Sequence, residues 1–331
     1  MIHTLTLVNT DKVIPYGNLA MEEYLLNQLE EGECILYLWQ NRHTVVIGRN
    51  QNPWKECRCE SLEADNGFLA RRLSGGGAVY HDLGNLNFTF LANREDYDIA
   101  RQTAVVLDAI ERLGIHAVKN GRNDITVEGK KVSGHAYYET RNKCYHHGTI
   151  MVSVDTQNLN KYLRVDMKKL KSNGVDSVIS RVGNLSDYAD VSIGEMKQSL
   201  KKAFESEYGH KCAIVRGEDL KDAALEELEK KYSSWEWLYG RNISFENTLD
   251  RKFDWGAVQI CYNVKNGRFE DVGIYSDSLY PSVVEEAGAV LRHSRLMSGE
   301  ILDRLSRIKV EQEIEKKMIS DMAEALCQSI A

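Results

Sequence analysis

Apolar and polar residues alternate with two different periods along the 331-residue chain, and the points where the period changes mark out its elements. Residues 4–8 alternate weakly and predict a strand. Residues 18–29 then repeat at helical spacing, with Asn18 as a candidate N-cap and Gly32 as the stop. Two strand-like runs follow, 35–39 and 44–47, the second ending at Gly48. Residues 67–73 lead into a glycine cluster, and beyond it Leu86, Phe88 and Phe90 alternate with Asn87 and Thr89 at strand period, so the cluster joins two strands. Asp98 predicts the N-cap of a helix over 99–113, where Val106, Ile110 and Leu113 share a face and Gly114 ends the run.

Residues 125–138 predict a hairpin: Ile125 and Val127 alternate, Glu128-Gly129 turns, and Lys131-Val-Ser-Gly begins the return strand. Residues 147–154 read as a further strand with Ile150, Val152 and Val154 on one face, and 194–208 and 220–232 as helices. Strands and helices mix without a regular βαβ alternation, which predicts an α+β fold. Polar residues 241–252 follow an aromatic stretch and suggest a division into residues 1–246 and a smaller domain, 247–331. In the second part Val258, Ile260, Tyr262 and Val264 alternate into Asn266-Gly267, a strong hairpin signal, and from Pro281 onward the chain predicts helix.

Composition narrows the class. With 42 Lys+Arg against 49 Asp+Glu the net charge is −7, which argues against a broad nucleic-acid footprint. No apolar run approaches the ~18 residues of a membrane helix, and residues 1–9 carry no readable secretory signal, so the cytoplasm is the expected location. Seven scattered cysteines without a Cys-x-x-Cys pair predict reduced thiols rather than a disulfide scaffold or zinc ribbon.

The strongest chemical signal is Arg71-Arg-Leu-Ser-Gly-Gly-Gly-Ala-Val-Tyr-His-Asp82. Three consecutive glycines let backbone N–H groups converge on an anion, and the preceding arginine offers a fixed fork for phosphate or carboxylate. The segment lacks the Gly-Lys-Ser/Thr of a P-loop and opens no helix, and a flexible hairpin tip is the plainer alternative. A second constellation is Gly121-Arg-Asn-Asp124 with Lys131-Val-Ser-Gly-His-Ala136. In a regular strand Lys131 and Ser133 face opposite to Val132, and Asp124 lies across the hairpin, where a carboxylate beside a lysine suits Mg²⁺ and phosphate. The alternative is a solvated surface lysine. His146 and His147 point to opposite strand faces, which disfavours a shared metal. Cys57 and Cys59 read as ordinary thiols, Cys144 as a minor nucleophile candidate near the histidines, and Trp235 with Trp237 as packing residues.

Taken together, these segments resemble the two-domain bacterial lipoate-protein ligases. The resemblance rests on Gly48-Arg-Asn-Gln-Asn-Pro-Trp-Lys-Glu-Cys57, the Arg71–Asp82 motif with Leu83-Gly-Asn, Gly121–Asp124, Lys131–Gly134, His146-His-Gly-Thr149, Ser177-Val-Ile-Ser-Arg-Val-Gly-Asn-Leu185 and Ser233-Ser-Trp-Glu-Trp237, in the family's order. It implies a mixed-sheet catalytic domain related to biotin ligases and class II synthetases, with a small accessory domain. The implied reaction joins lipoate and Mg-ATP into lipoyl-adenylate, then passes the acyl group to a lysine on an E2 lipoyl domain or on the glycine cleavage H protein. By motif, Arg72, Gly75, Gly76, Gly77, Ala78, Val79 and Tyr80 would hold ATP and adenylate. Asn123 and Asp124 would lie near phosphates and Mg²⁺. Lys131 would contact carbonyl and phosphate oxygens, and Ala136 and His147 would border the lipoyl pocket. A monomer that binds neither nucleic acid nor membrane is expected. One departure is His135, where the family often has serine, and it bears on local pocket shape. The related octanoyl and lipoyl transferases carry a cysteine in the loop that here reads Arg122-Asn-Asp-Ile125, which has none. A lipoate- or adenylate-binding protein without catalysis is the remaining alternative.

Overall fold

A computed structural model describes residues 1–121, 123–164, 181–240 and 245–330. The chain divides into two compact units, each assembled from three segments. Met1–Val46, Glu56–Arg71 and Ala78–Leu238 form the first; Ile47–Lys55, Arg72–Gly77 and Tyr239–Ala331 form the second.

The first unit is built on an eight-stranded mixed sheet in the order β11-β1-β2-β6-β10-β9-β8-β7. Its strands are β1 (Thr4–Asn9), β2 (Glu33–Trp39), β6 (Asn85–Asn93), β7 (Val118–Asn120), β8 (Asp124–Val127), β9 (Lys130–Glu139), β10 (Lys143–Met151) and β11 (Ala213–Arg216). β1 runs parallel to both β2 and β11, and the pairs from β2 to β7 are antiparallel. The apolar set of every second position fixes the buried face. Leu36, Leu38, Phe88, Phe90, Ile125 and Ile150 pack there against Val105, Val106 and Ile110 of the helix Ile99–Glu111 and Leu200 and Phe204 of the helix Ile193–Tyr208. Each such side chain contributes about 1.5–3 kcal/mol through burial. Asp98 caps the first of these helices by accepting from Arg101 N at 3.0 Å, and a Ser192–Glu195 capping box starts the second.

The helix Pro15–Gln28 begins before Asn18, because Pro15 supplies a preset φ at the first position. Asn18 is therefore not its cap. The Asn18 carboxamide instead donates to the carbonyls of Lys12 (3.1 Å) and Gln40 (2.8 Å) and to Asn41 Oδ1 (3.0 Å), tying the helix to the loop after β2. A small sheet of β3 (Thr44–Ile47), β4 (Phe68–Arg71) and β5 (Val79–His81) has the order β4-β3-β5. The glycine cluster joins β4 to β5, and β3 lies between them, so the cluster is a crossover loop rather than a hairpin tip.

The second unit contains an antiparallel sheet of β12 (Asn247–Phe253), β13 (Gly256–Lys265) and β14 (Arg268–Ser276) with helices Pro281–Leu291, Ser298–Ser306 and Glu313–Ile330. Asn266 and Gly267 turn the β13–β14 hairpin at φ 51° and 71°. Ile260, Phe269, Leu291, Leu305, Met322 and Leu326 form its own core. The polar stretch after residue 246 forms the strand β12, of which only Leu249 is buried, so the period-two signal is nearly absent. Residues 241–244 of that stretch lie outside the described residues. Among the described residues no helix is long and apolar enough to cross a membrane.

Candidate active site

Register decides which side chains share a face of the central sheet. Leu86, Phe88 and Ile150 belong to the helix-covered core and buried His135 and His146 pack edge-on against Phe88, so their strand neighbours project from the opposite face. Two rows cross the strands there: Tyr37, Thr89, His147 and Ala136; and Trp39, Asn87, Thr149, Gly134 and Asp124.

Lys131 owes its position to a bulge. Ile125 pairs with Ser133 and Thr126 with Lys131, which leaves Val132 as the extra residue of β9. Val132 and Ser133 are consecutive and both fully buried, so Ser133 faces the core; the regular alternation expected over 131–133 does not hold. Lys131 turns instead toward Asp124, its Nζ 2.7 Å from Oδ1, with both side chains about a third exposed. Gly134 makes room for this: a Cβ there would lie 2.7 Å from the lysine Nζ. Asn123 is fixed beside the pair, its carbonyl accepting from His135 N at 2.7 Å and its carboxamide donating to the His135 carbonyl at 3.2 Å. Gly183 N closes the other edge by donating to the Lys131 carbonyl at 3.0 Å. Arg122, and residues 177–180 of the quoted 177–185 motif, lie outside the described residues.

On the neighbouring row, buried Glu22 brings its Oε1 to 2.8 Å from His147 Nδ1 and accepts from Thr89 Oγ1 at 2.7 Å; Trp39 Nε1 in turn donates to Thr89 Oγ1 at 3.1 Å. Ala136 is the cross-strand partner of His147. Glu22, Thr89 and Trp39 are absent from the site as read in the sequence. The signal was present for Glu22: it stands three and four residues before Leu25 and Leu26, an acid on the buried stripe of its helix.

The opposite face carries a buried polar chain. His135 Nε2 meets Ser133 Oγ at 3.1 Å, His135 Nδ1 meets His146 Nε2 at 2.9 Å, and His146 Nδ1 meets Gln102 Oε1 at 3.1 Å. Burial, aided by the charge of Lys131, pushes the His135 imidazole down to about 3, and burial likewise holds His146 well below the ordinary range. His135 therefore sits behind the sheet and does not line the site face. Cys144 is also buried there, its thiol pushed up to about 11 by burial, the reverse of an activated nucleophile. Among the described residues no three His, Cys, Asp or Glu side chains are grouped to hold a metal.

The glycine loop belongs mostly to the second unit, and its glycines serve different needs. Gly76 adopts φ 91°, which favours glycine, and donates to the Ser278 carbonyl at 3.1 Å. A Cβ on Gly75 would fall on that same carbonyl. Gly77 is exposed and would meet nothing within 4 Å, so packing does not require a glycine there. Arg72 is buried and braces the loop from within, donating to Ser74 Oγ (3.1 Å) and to the carbonyls of Gly75 (2.7 Å) and Gly77 (2.8 Å). In the first unit Ala78 and Val79 are half-buried. The Tyr80 ring packs inward, stacked on Tyr162 at 5.7 Å with its hydroxyl 2.9 Å from His43 Nδ1. Trp237 donates to the Arg71 carbonyl at 2.9 Å and meets the Tyr232 ring edge-on at 5.3 Å, while Trp235 is exposed.

Residues 14–205 match the family model of the lipoyl protein ligase A/B catalytic domain, and residues 242–326 match that of the bacterial lipoate protein ligase C-terminus. The chain belongs to the lipoate-protein ligase family. Among solved structures it is similar to LipL1 of P. falciparum in complex with lipoate, at 29% identity over 98% of this chain and 100% of that one, with a TM-score of 0.87. It is also similar to an archaeal bipartite lipoate protein ligase from Thermoplasma acidophilum, studied with its E2 lipoyl domain (27% identity, 74% of this chain and 100% of that chain, TM-score 0.64). A lipoate-protein ligase A bound with ATP matches at 27% identity over 72% of this chain and 99% of that chain, with a TM-score of 0.62. The fold of this lipoate-protein ligase family member is thus the mixed sheet with helices that its relatives share.

Proposed function

We propose that this ligase activates lipoate with ATP and passes the lipoyl group to a lysine of lipoyl domains, on E2 subunits of 2-oxoacid dehydrogenases or on the glycine cleavage H protein. The observation that carries the reading is the Lys131 amine, laid across Gly134 on a polar sheet face and anchored by Asp124. Family membership and the relatives bound to lipoate and to ATP support it.

The chemistry begins with two anions. A lipoate carboxylate oxygen attacks the α-phosphorus of ATP and pyrophosphate leaves. Lys131 offsets the charge that gathers on the carboxyl and phosphate oxygens, and a fixed cation costs no reorganisation as the transition state forms. The glycine loop, Gly75 to Gly77 with Ala78, Val79 and Tyr80, offers main-chain N–H groups to phosphate. At Gly77, where packing does not require a glycine, the missing side chain suits close approach of a phosphate to the backbone. Arg72 keeps that loop in shape. In the second half-reaction the acceptor amine attacks the acyl carbonyl, AMP leaves, and Lys131 follows the carbonyl oxygen as a point charge. Ala136, His147 and Glu22 border the acyl chain. Asn123 and Asp124 suit a Mg²⁺ that takes most of its oxygens from phosphates and water, since one carboxylate is enough for that mode of binding. Such an ion would neutralise phosphate charge.

The thioester route of the octanoyl transferases is disfavoured by Cys144, buried and with its thiol raised to about 11. Intact-mass analysis tests the reading. An apo lipoyl domain incubated with this chain, ATP, Mg²⁺ and lipoate gains one lipoyl group, and omitting ATP abolishes the gain. Modification without ATP, or no pyrophosphate release on mixing with lipoate and ATP, overturns it.

A further inference from the structure

In the same row as Gly134, Asn87 holds a buried donor that has no partner among the described residues. Asn87 is 2% exposed, its Oδ1 accepts from Asn85 Nδ2 at 3.0 Å, and its own Nδ2 meets no hydrogen-bond partner among the described residues. Leaving such a group unpaired is costly, so it invites a partner that is present only when substrate is bound.

We infer that Asn87 is a specificity-determining residue that favours an acyl tail bearing sulfur over a plain hydrocarbon tail. The inference rests on the proposed function and deepens it. Leu86 and Phe88 on either side belong to the core, so Asn87 projects from the site face, and its cross-strand partners are Trp39 and Thr149. Thr149 in turn pairs with Gly134, over which the Lys131 amine lies. From Gly134 to Asn87 is two strand spacings, about 10 Å. An extended eight-carbon acyl group whose carbonyl sits at Lys131 reaches that far, which brings a dithiolane ring to the carboxamide. Ring sulfur is a weak acceptor for N–H and a favourable neighbour for an aromatic edge. Trp39 supplies the aromatic ring, held in place by its bond to Thr89 and stacked with Tyr37 at 5.9 Å. The tail of octanoate accepts nothing, and binding it seals the donor away unpaired. A site built this way discriminates by chemistry rather than size.

The test uses the whole chain and direct binding by calorimetry. Wild-type protein is titrated with lipoate and with 5-cyclopentylpentanoate, the same shape with both sulfurs replaced by methylene. Binding of the carbocycle about tenfold weaker is the expected result; equal affinities overturn the inference, whether or not the chain turns over. With ATP present, Asn87→Leu narrows the lipoate-to-octanoate ratio of kcat/KM about tenfold, the change carried by KM. An unchanged ratio in a folded Asn87→Leu protein also overturns it, as it would if an ordered water held the carboxamide. A wild-type chain that binds lipoate but never releases pyrophosphate sinks the ligase reading alone and leaves this one standing.

Discussion

His146 and His147 are neighbours in sequence and live in different chemical worlds. His146 lies in the helix-covered core, linked to His135 and Gln102, and burial suppresses its charge. His147 lies on the site face, hydrogen-bonded to Glu22 and one row from the lysine. Residue type does not separate them; the face of the strand does. One face of β9 and β10 packs into the core, and the other carries Gly134, Ala136, His147 and Thr149.

The sharpest way to break this comparison is to remove the cation from the site face. Lys131→Ala lowers lipoate-dependent pyrophosphate release at least about 10²–10³-fold, as loss of an electrostatic stabiliser does. Its melting temperature stays near wild type, because the side chain is a third exposed. Full activity in that variant removes Lys131 from the mechanism. A subtler displacement is Gly134→Ala, whose Cβ would push Nζ off its seat. Activity falls about 10–100-fold while stability changes little, since the displaced atom ends a flexible side chain. Wild-type turnover would show that the position of the amine is not critical.

The core face answers to acid instead. His135 titrates near 3 in the folded chain against 6.5 as its ordinary value. Between these pH values the unfolded chain binds more protons than the folded one, so the neutral pair contributes full stability above about pH 6.5 and loses it as pH falls. Denaturant unfolding should show a slope of about 1.4 kcal/mol per pH unit for each such histidine, and His135→Ser should flatten it. A slope untouched by that substitution would mean the chain of imidazoles is not held neutral. The smallest effect is expected at Cys144: Cys144→Ala retains ligase activity within about twofold, at a stability cost of about 1 kcal/mol for the small cavity. Abolished activity would revive the thioester route.

Much of the scaffold was legible in the sequence because local rules set it. Glu128-Gly129 and Asn266-Gly267 announce hairpins, and the structure gives them the left-handed dihedrals such turns need, 49° and 80° in the first. Asp98 and Ser192 sit at helix starts for equally local reasons. What the sequence hid is non-local. The parallel β11-β1-β2 edge depends on strands about 200 residues apart, and β11 itself is almost entirely exposed, without a period to detect. The bulge at Val132 turns on one unmatched residue, so a regular alternation put Ser133 on the wrong side. Trp39 and Thr89 each read as ordinary strand residues until register sets them side by side.

The glycine loop has a final consequence. Its residues 72–77 are grouped with residues 239–331, bonded through Gly76 to Ser278, and the adjoining 47–55 segment is stitched on by Ser276 N to the Asn50 carbonyl at 2.8 Å and by Arg49 to Glu285 at 2.6 Å. The C-terminal part of the chain is thus also the footing of two segments from its N-terminal half. Cutting the gene after codon 238 would leave the triple-glycine loop without the partners, such as the Ser278 carbonyl, that hold its shape.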